Sequence, residues 1–145
     1  MTVRQDITPQ EAAVARAFVS RTVAAWKGLA AAARADSTGT SAQSAGEMEP
    51  RCAEALVLSL DRFVTAHGRP AGAVTAADEL ALVATAVMSP AGRFVADDSG
   101  EYVPDQSVLG LLPGEPVRSL RMDSVERLAV RVLAEVDAQL KLSVA

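Results

Sequence analysis

Apolar residues recur at helical spacing in four stretches of this chain, and the first follows a clear start signal. Thr8-Pro9-Gln10-Glu11 has the pattern of a capping box with proline at the first helical position, which predicts a helix from about Pro9 to about Ala35. Counting 100° per residue places six of its residues on one face that we expect to pack: Val14, Phe18, Thr22, Ala25, Trp26 and Leu29.

The second and third stretches predict two further helices. One should run from about Pro50 to Gly68, because Ala53, Leu56, Val57, Leu60, Phe63, Val64 and His67 repeat at three and four. The other should start with a second capping box, Thr75 to Asp78, and end at Ser89. No charge follows Glu79 in this helix, so we expect it to be the buried central one.

The remaining segments predict a final helix and three connections. Asp123 should cap a helix that ends near Leu142. Residues 93–103 predict a short β-hairpin with its turn at 97–100, and Gln106 to Leu112 predict a brief helical turn. Residues 36–47 are small and polar and contain glycine, so we expect a mobile loop there.

Length and composition then set the fold class. The 145 residues are 50% hydrophobic but only 3% aromatic, and the mean hydropathy is +0.19. Thin side chains favour close helix packing, and such a composition leaves apolar surface for a partner. The prediction is a mainly α, single-domain helical bundle, residues 1–145, of about four principal helices with one small β-hairpin at about 93–103.

Net charge and cysteine content limit the class of partner and the cellular compartment that we expect. The net charge of −4 argues against a general nucleic-acid binder, because phosphate contacts need clustered lysine and arginine. A single cysteine cannot form an intramolecular disulfide, which is typical of a reducing compartment. No apolar run reaches the length that crosses a bilayer. We therefore expect a cytoplasmic protein that does not bind membranes.

The residues that usually carry chemistry are few. Cys52 and His67 lie on one predicted helix, roughly 22 Å apart at the helical rise, so they cannot act as a nucleophile pair or share a metal. We predict no catalytic residue, no cofactor and no metal site. Carboxylates are numerous, however, and a carboxylate-dependent enzyme stays open as a second alternative, using Glu54, Asp61, Asp78, Glu79, Glu126, Glu135 and Asp137.

Two short resemblances suggest other classes. The order helix, helix, hairpin over residues 50–103 resembles the last part of a winged helix, which implies a nucleic-acid-binding regulator as the first alternative. Residues 76–89 hold no lysine or arginine for phosphates or base edges, so nucleic acid is a disfavoured partner. Trp26-Lys27-Gly28 resembles the WxG motif of small helical-hairpin proteins exported by mycobacterial-type secretion systems. That resemblance implies a turn between two helices, whereas the alanines that follow favour a continued helix.

The function that we predict is a non-enzymatic protein–protein interaction or assembly module, such as an adaptor, inhibitor or small subunit. Self-association as a homodimer is the expected mode, because a second copy can cover the surplus apolar surface. An acidic protein is the partner that best suits a basic stripe on the first helix. The candidate partner-binding residues are Arg16, Lys27 and Arg34 in this stripe, together with Leu58 on the outer face of the second helix and Leu109, Leu111 and Leu112.

Overall fold

The computed structural model of the chain describes residues 7–67, 75–96 and 102–144. Four α-helices account for most of them: α1 (Pro9–Ala35), α2 (Thr40–His67), α3 (Ala76–Met88) and α4 (Met122–Val144). A single turn of 3-10 helix, Pro104–Gln106, precedes α4 and replaces the helical turn predicted over residues 106–112. The mainly α-helical bundle is confirmed, and these described ranges contain no strand.

Both predicted capping boxes are present. The Thr8 hydroxyl accepts from the Glu11 N–H at 3.2 Å, and the Glu11 carboxylate accepts from the Thr8 N–H at 2.8 Å. Thr75 and Asp78 make the same reciprocal pair at 3.2 and 2.9 Å. Each box satisfies N–H groups that the first helical turn leaves without a partner, so α1 and α3 begin where their local sequence predicts.

The start of α2 corrects two predictions. Residues 36–47 were expected to form a loop, but the irregular connection is limited to residues 36–39 and α2 begins at Thr40. Its first turn is stabilised by Asp36, whose carboxylate accepts from the N–H groups of Thr38 and Ser41 at 3.1 and 3.3 Å. A side chain that supplies acceptors to the first N–H groups allows even small polar residues to enter a helix. The mobility of residues 36–47 stays a prediction.

Pro50 was expected to open the second helix and instead lies inside it. A proline within a helix has no N–H for the carbonyl four residues earlier, here that of Gly46, and its ring crowds that carbonyl. The helix continues on both sides because Ala45 and Ala53 pack inward on either side of the proline. Tertiary packing therefore overrides the local signal.

The bundle has α2 and α4 at its centre. Each of these two helices contacts the other three, whereas α1 and α3 lie on opposite sides and do not contact each other. The prediction that α3 is the central helix is therefore wrong, although its inner side is fully buried at Val83. Its outward positions include the exposed Thr85 and Met88, so a flanking helix can lack charge when small or apolar residues face solvent.

The hairpin predicted at residues 93–103 is also corrected. Arg93 forms an antiparallel bridge with Pro116, and the Phe94 N–H donates to the Glu115 carbonyl at 2.8 Å. The segment therefore pairs with the proline-rich loop about 20 residues further on, while its predicted turn at 97–100 lies outside the described residues. The bridge holds Phe94 in the core, where its side chain is completely buried.

Carboxylates that are distant in sequence accept from the first N–H groups of α3 and α4. Asp123 was predicted to cap α4, but it lies within the helix, and the Met122 N–H donates to the Glu49 carboxylate of α2 at 3.2 Å. Glu135 of α4 in turn accepts from the N–H groups of Ala76 and Ala77 at 2.6 and 3.2 Å. A negative charge at a helix N-terminus is favourable, so these contacts fix α2, α4 and α3 against one another.

Candidate functional site

The apolar face predicted to bury α1 is largely exposed. Val14 is 67% exposed, Phe18 41% and Leu29 51%. The residues that α1 buries are Ala12, Ala15, Val19, Val23 and Ala33, on a face rotated by roughly 100° from the predicted one. Of the predicted packing residues, Trp26 does lie against the core. The helix α1 thus has two apolar faces. The face with small residues packs against the bundle, and the face with larger residues is exposed to solvent.

A matching stripe lies along the neighbouring helix. Met48, Cys52, Ser59, Phe63 and Ala66 fall within about 60° of one another on α2. Met48 is 49% exposed, and Cys52 and Phe63 are half-buried. Near the turn between the helices, the two stripes meet in an open crevice of about 400 Å³ that Leu29 and Met48 both line.

We call this surface the outer hairpin face. It comprises Val14, Phe18, Thr22, Ala25, Leu29 and Ala32 of α1 with Met48, Cys52, Ser59, Phe63 and Ala66 of α2. None of these eleven residues carries a charge at neutral pH. The face thus consists of two uncharged stripes that meet near Leu29 and Met48, with the exposed Arg21 at the edge of the α1 stripe.

A contact between a histidine and a carboxylate borders one end of the outer hairpin face. His67 Nε2 lies 3.1 Å from the Glu11 carboxylate, and His67 Nδ1 lies 2.9 Å from the Phe63 carbonyl. Hydrogen bonds from the N–H and hydroxyl of Thr8 hold the pKa of Glu11 below its usual range, and His67 adds to this effect. The pair joins the beginning of α1 to the end of α2 and marks where the uncharged surface stops.

The predicted basic stripe lies toward α4. Arg16 forms an ion pair with Asp137, and Lys27 Nζ lies 3.2 Å from the Glu126 carboxylate. Arg34 lines a separate groove of about 290 Å³ near the start of α4. Two of the three cations are thus already matched by carboxylates within the fold, which reduces the charge that the stripe presents to an acidic partner.

The predicted leucine contacts are separated by the fold. Leu58 is half-buried and packs against the core, as Cys52 and Phe63 also do, so only part of its side chain is accessible on the outside of α2. Leu111 is buried and Leu109 packs against the same core, while Leu112 is 53% exposed. The reason is that residues 102–120 fold back against the helices, where Leu111 and Val117 join the core. The partner-binding role of these residues stays a prediction.

Of the carboxylates proposed for an enzyme, Asp78, Glu79 and Glu135 accept from backbone N–H groups, whereas Glu54, Glu126 and Asp137 pair with arginine or lysine. Glu79 is almost completely buried, and its two oxygens accept from the N–H groups of Val108 and Leu109 at 2.9 and 2.8 Å. A cavity of only about 80 Å³ adjoins it, lined also by Glu135 and Tyr102. Burial raises the pKa of Tyr102, whose hydroxyl donates to the Leu111 carbonyl at 2.9 Å. These hydrogen bonds hold loops and helix ends together.

Within residues 7–67, 75–96 and 102–144, no three histidine, cysteine or carboxylate side chains are grouped so that they could hold a metal ion. In the same part of the chain, no helix is both long and apolar enough to cross a membrane.

Comparisons with protein-family models, with curated proteins and with solved structures find no match for this chain. Trp26 and Gly28 of the WxG-like motif lie in the middle of α1, and not in a turn between helices.

Sequence reasoning missed the outer hairpin face because it assigned the larger apolar residues to the core. A signal was nevertheless present, since Ala12, Ala15, Val19 and Val23 form a second apolar stripe on α1. A helix with apolar residues over half of its circumference has more apolar surface than one core contact covers. On α2, Phe63 does pack against the core as predicted, and the exposed Met48 was missed because the predicted helix started at Pro50.

Proposed function

We propose that this protein is a non-enzymatic interaction module that assembles with a second copy of itself through the outer hairpin face. The observation that carries the proposal is the exposure of Phe18 and Leu29 on a surface without charged residues. The broader role is that of an adaptor, inhibitor or small subunit in the cytoplasm, to which the single cysteine is suited.

Exposed apolar area supports this function. Removing apolar surface from water contributes roughly 25 cal/mol per Å², and a monomer forgoes this free energy across the whole outer hairpin face. The face extends over 19 residues from Val14 to Ala32, about 27 Å at the helical rise, and over two helices that are each about 10 Å wide. Two copies would therefore cover on the order of 1,000 Å², which reaches the lower range of specific interfaces.

Self-association is favoured over a charged partner by the chemistry of this surface. An acidic or basic partner would lose hydration of its charges against groups that cannot pair with them. A second copy presents the same uncharged apolar surface, and a twofold axis lets one patch serve both subunits.

Light scattering at micromolar concentration tests the proposal. The wild-type protein should have a mass near twice 15.0 kDa. Phe18→Glu places a charge within the contact and should weaken dimerisation by on the order of 30-fold while leaving the circular dichroism of the helices unchanged.

Val130→Glu is the matched control, because Val130 is an apolar residue of α4 with 60% exposure that lies outside the outer hairpin face. This variant should remain a dimer. A monomeric wild-type protein, or equal dissociation by Phe18→Glu and Val130→Glu, would contradict the proposed function.

A further inference from the structure

The side chains of the outer hairpin face also indicate how a second copy would bind. We infer that the two copies are related by a twofold axis that crosses α1 between Arg21 and Thr22, so that the two α1 helices pack antiparallel. This inference rests on the proposed self-association and adds the register of the contact.

Side-chain sizes along α1 favour this register. With the axis between Arg21 and Thr22, Phe18 lies opposite the partner's Ala25, and Val14 lies opposite the partner's Leu29. The half-exposed Phe18 ring thus meets a methyl side chain, which leaves room for the ring between two helices 8–10 Å apart. Each large residue at the centre of the contact is matched by a small one.

The register chosen on α1 also fixes the register of the α2 stripe. Glu11 lies beside His67, and Ala33 and Ala45 line the same crevice, so neighbouring positions on α1 and α2 have residue numbers that add to about 78. The axis between Arg21 and Thr22 therefore crosses α2 near residues 56–57. Met48, which is half-exposed, then lies opposite the partner's Thr65 and beside the partner's Ala66. A second large residue again meets a small one.

Arg21 is the one charged side chain beside the axis. Its Nε donates to the Ala17 carbonyl at 3.3 Å, so the side chain follows its own helix on the solvent side of the stripe. The like charges of two copies would approach each other there, and salt should therefore tighten the dimer slightly by screening them.

A different twofold arrangement, with α1 on the partner's α2, fits less well. It would place Leu29 against the partner's Met48 and Val14 against the partner's Phe63, while Ala25 would face another small residue. Phe18 would face the partner's Ser59, and the end pairs Leu29–Met48 and Val14–Phe63 are bulkier than the Val14–Leu29 pairs of the inferred register, so they would hold the two copies further apart and leave space around Ala25. Close packing disfavours such a contact, since unfilled space loses dispersion contacts.

Cysteine cross-linking distinguishes these arrangements. In a Cys52→Ser background, Thr22→Cys would place two thiols across the axis with their Cα atoms about 6 Å apart, within disulfide range. Leu29→Cys lies on the same face but about 22 Å from its own counterpart in the inferred register. Under mild oxidation we expect at least about tenfold more disulfide-linked dimer for Thr22→Cys than for Leu29→Cys.

Mixed samples provide a second readout that does not depend on Thr22. Phe18→Cys and Ala25→Cys, both with Cys52→Ser, should form mixed disulfides in preference to either homodimer. Circular dichroism establishes that each variant is folded. A dimeric mass with equal cross-linking at Thr22→Cys and Leu29→Cys, or without the mixed disulfide, would overturn the register and leave the proposed function standing. A monomer at these concentrations would overturn both.

Discussion

The two ends of the α1–α2 hairpin form the same secondary structure for different reasons. The hairpin tip, residues 29–48, is built from small residues and buries only Ala33 and Ala45. The base of the bundle, formed by residues 51–67 of α2 with α3 and α4, buries large side chains such as Leu56, Leu80 and Leu128 completely. Helices at the base are held by apolar burial, whereas the tip depends on alanine propensity and on the Asp36 cap.

This difference implies a gradient of stability along α2. Each large side chain that is fully buried contributes roughly 1.5–3 kcal/mol, and the base has many of them whereas the tip has none. The tip should open locally at a free energy well below that of global unfolding. Two segments of one helix can therefore differ widely in how firmly they are held.

The largest effect is expected from a charge in the base. Val83→Asp should abolish folding, because Val83 is completely buried and an unpaired buried carboxylate costs several kcal/mol, on the order of the whole stability of a domain. Thr85→Asp is the control on the exposed side of α3 and should fold normally. The measurement is soluble expression with circular dichroism, and a folded Val83→Asp protein would show that the base does not depend on α3.

A smaller effect is expected when a buried acceptor is removed. Glu79→Ala leaves the N–H groups of Val108 and Leu109 without their partner and should lower the free energy of unfolding by about 2–4 kcal/mol in urea denaturation. Glu79→Gln keeps one acceptor and should lose about half as much. If Glu79→Ala were as stable as the wild-type protein, the loop 102–112 would not be part of the cooperative base.

The smallest global effect is expected at the tip. Asp36→Ala removes the acceptor for Thr38 and Ser41, so the first turn of α2 should fray. Hydrogen exchange should accelerate across residues 38–46 while the urea midpoint of the whole protein hardly changes. Protection that is equally strong in the tip and in residues 56–64 would remove the distinction between the two regions.

Asp36 also predicts that acid destabilises the hairpin tip. Hydrogen bonds from Ser41 and Thr38 hold the pKa of the Asp36 carboxyl well below its ordinary value of 3.8. Because the folded tip favours the ionised form, its stabilisation is complete above about that pH and is lost as the pH falls further. Amide chemical shifts of Thr38 and Ser41 should follow this loss, and Asp36→Asn should abolish the pH dependence.

Sequence reasoning succeeded where structure is determined by neighbouring residues. The capping boxes at Thr8 and Thr75 place the starts of α1 and α3 correctly, because each box is complete within four residues. It failed where the partner is distant. Arg93 pairs with Pro116 and Met122 is capped by Glu49, and neither contact has a local signature.

The candidate site shows a second limit of the sequence. Phe18 and Leu29 were assigned to the core because they are larger than the alanines and valines that α1 buries. Periodicity identifies an apolar face but does not choose between two faces of one helix. That choice depends on how closely α2 and α4 approach, and small residues such as Ala12 and Ala15 allow the closest approach.

Pro50 gives the hairpin a mechanical property. Without a hydrogen bond from residue 50 to the Gly46 carbonyl, α2 has less bending stiffness at this point than elsewhere along its length. The ten residues from Thr40 to Glu49 form a helical segment about 15 Å long that can bend relative to the rest of α2 at the proline. Glu49 directly precedes the proline and accepts from the Met122 N–H. A bend of this segment would therefore displace the first turn of α4 as well.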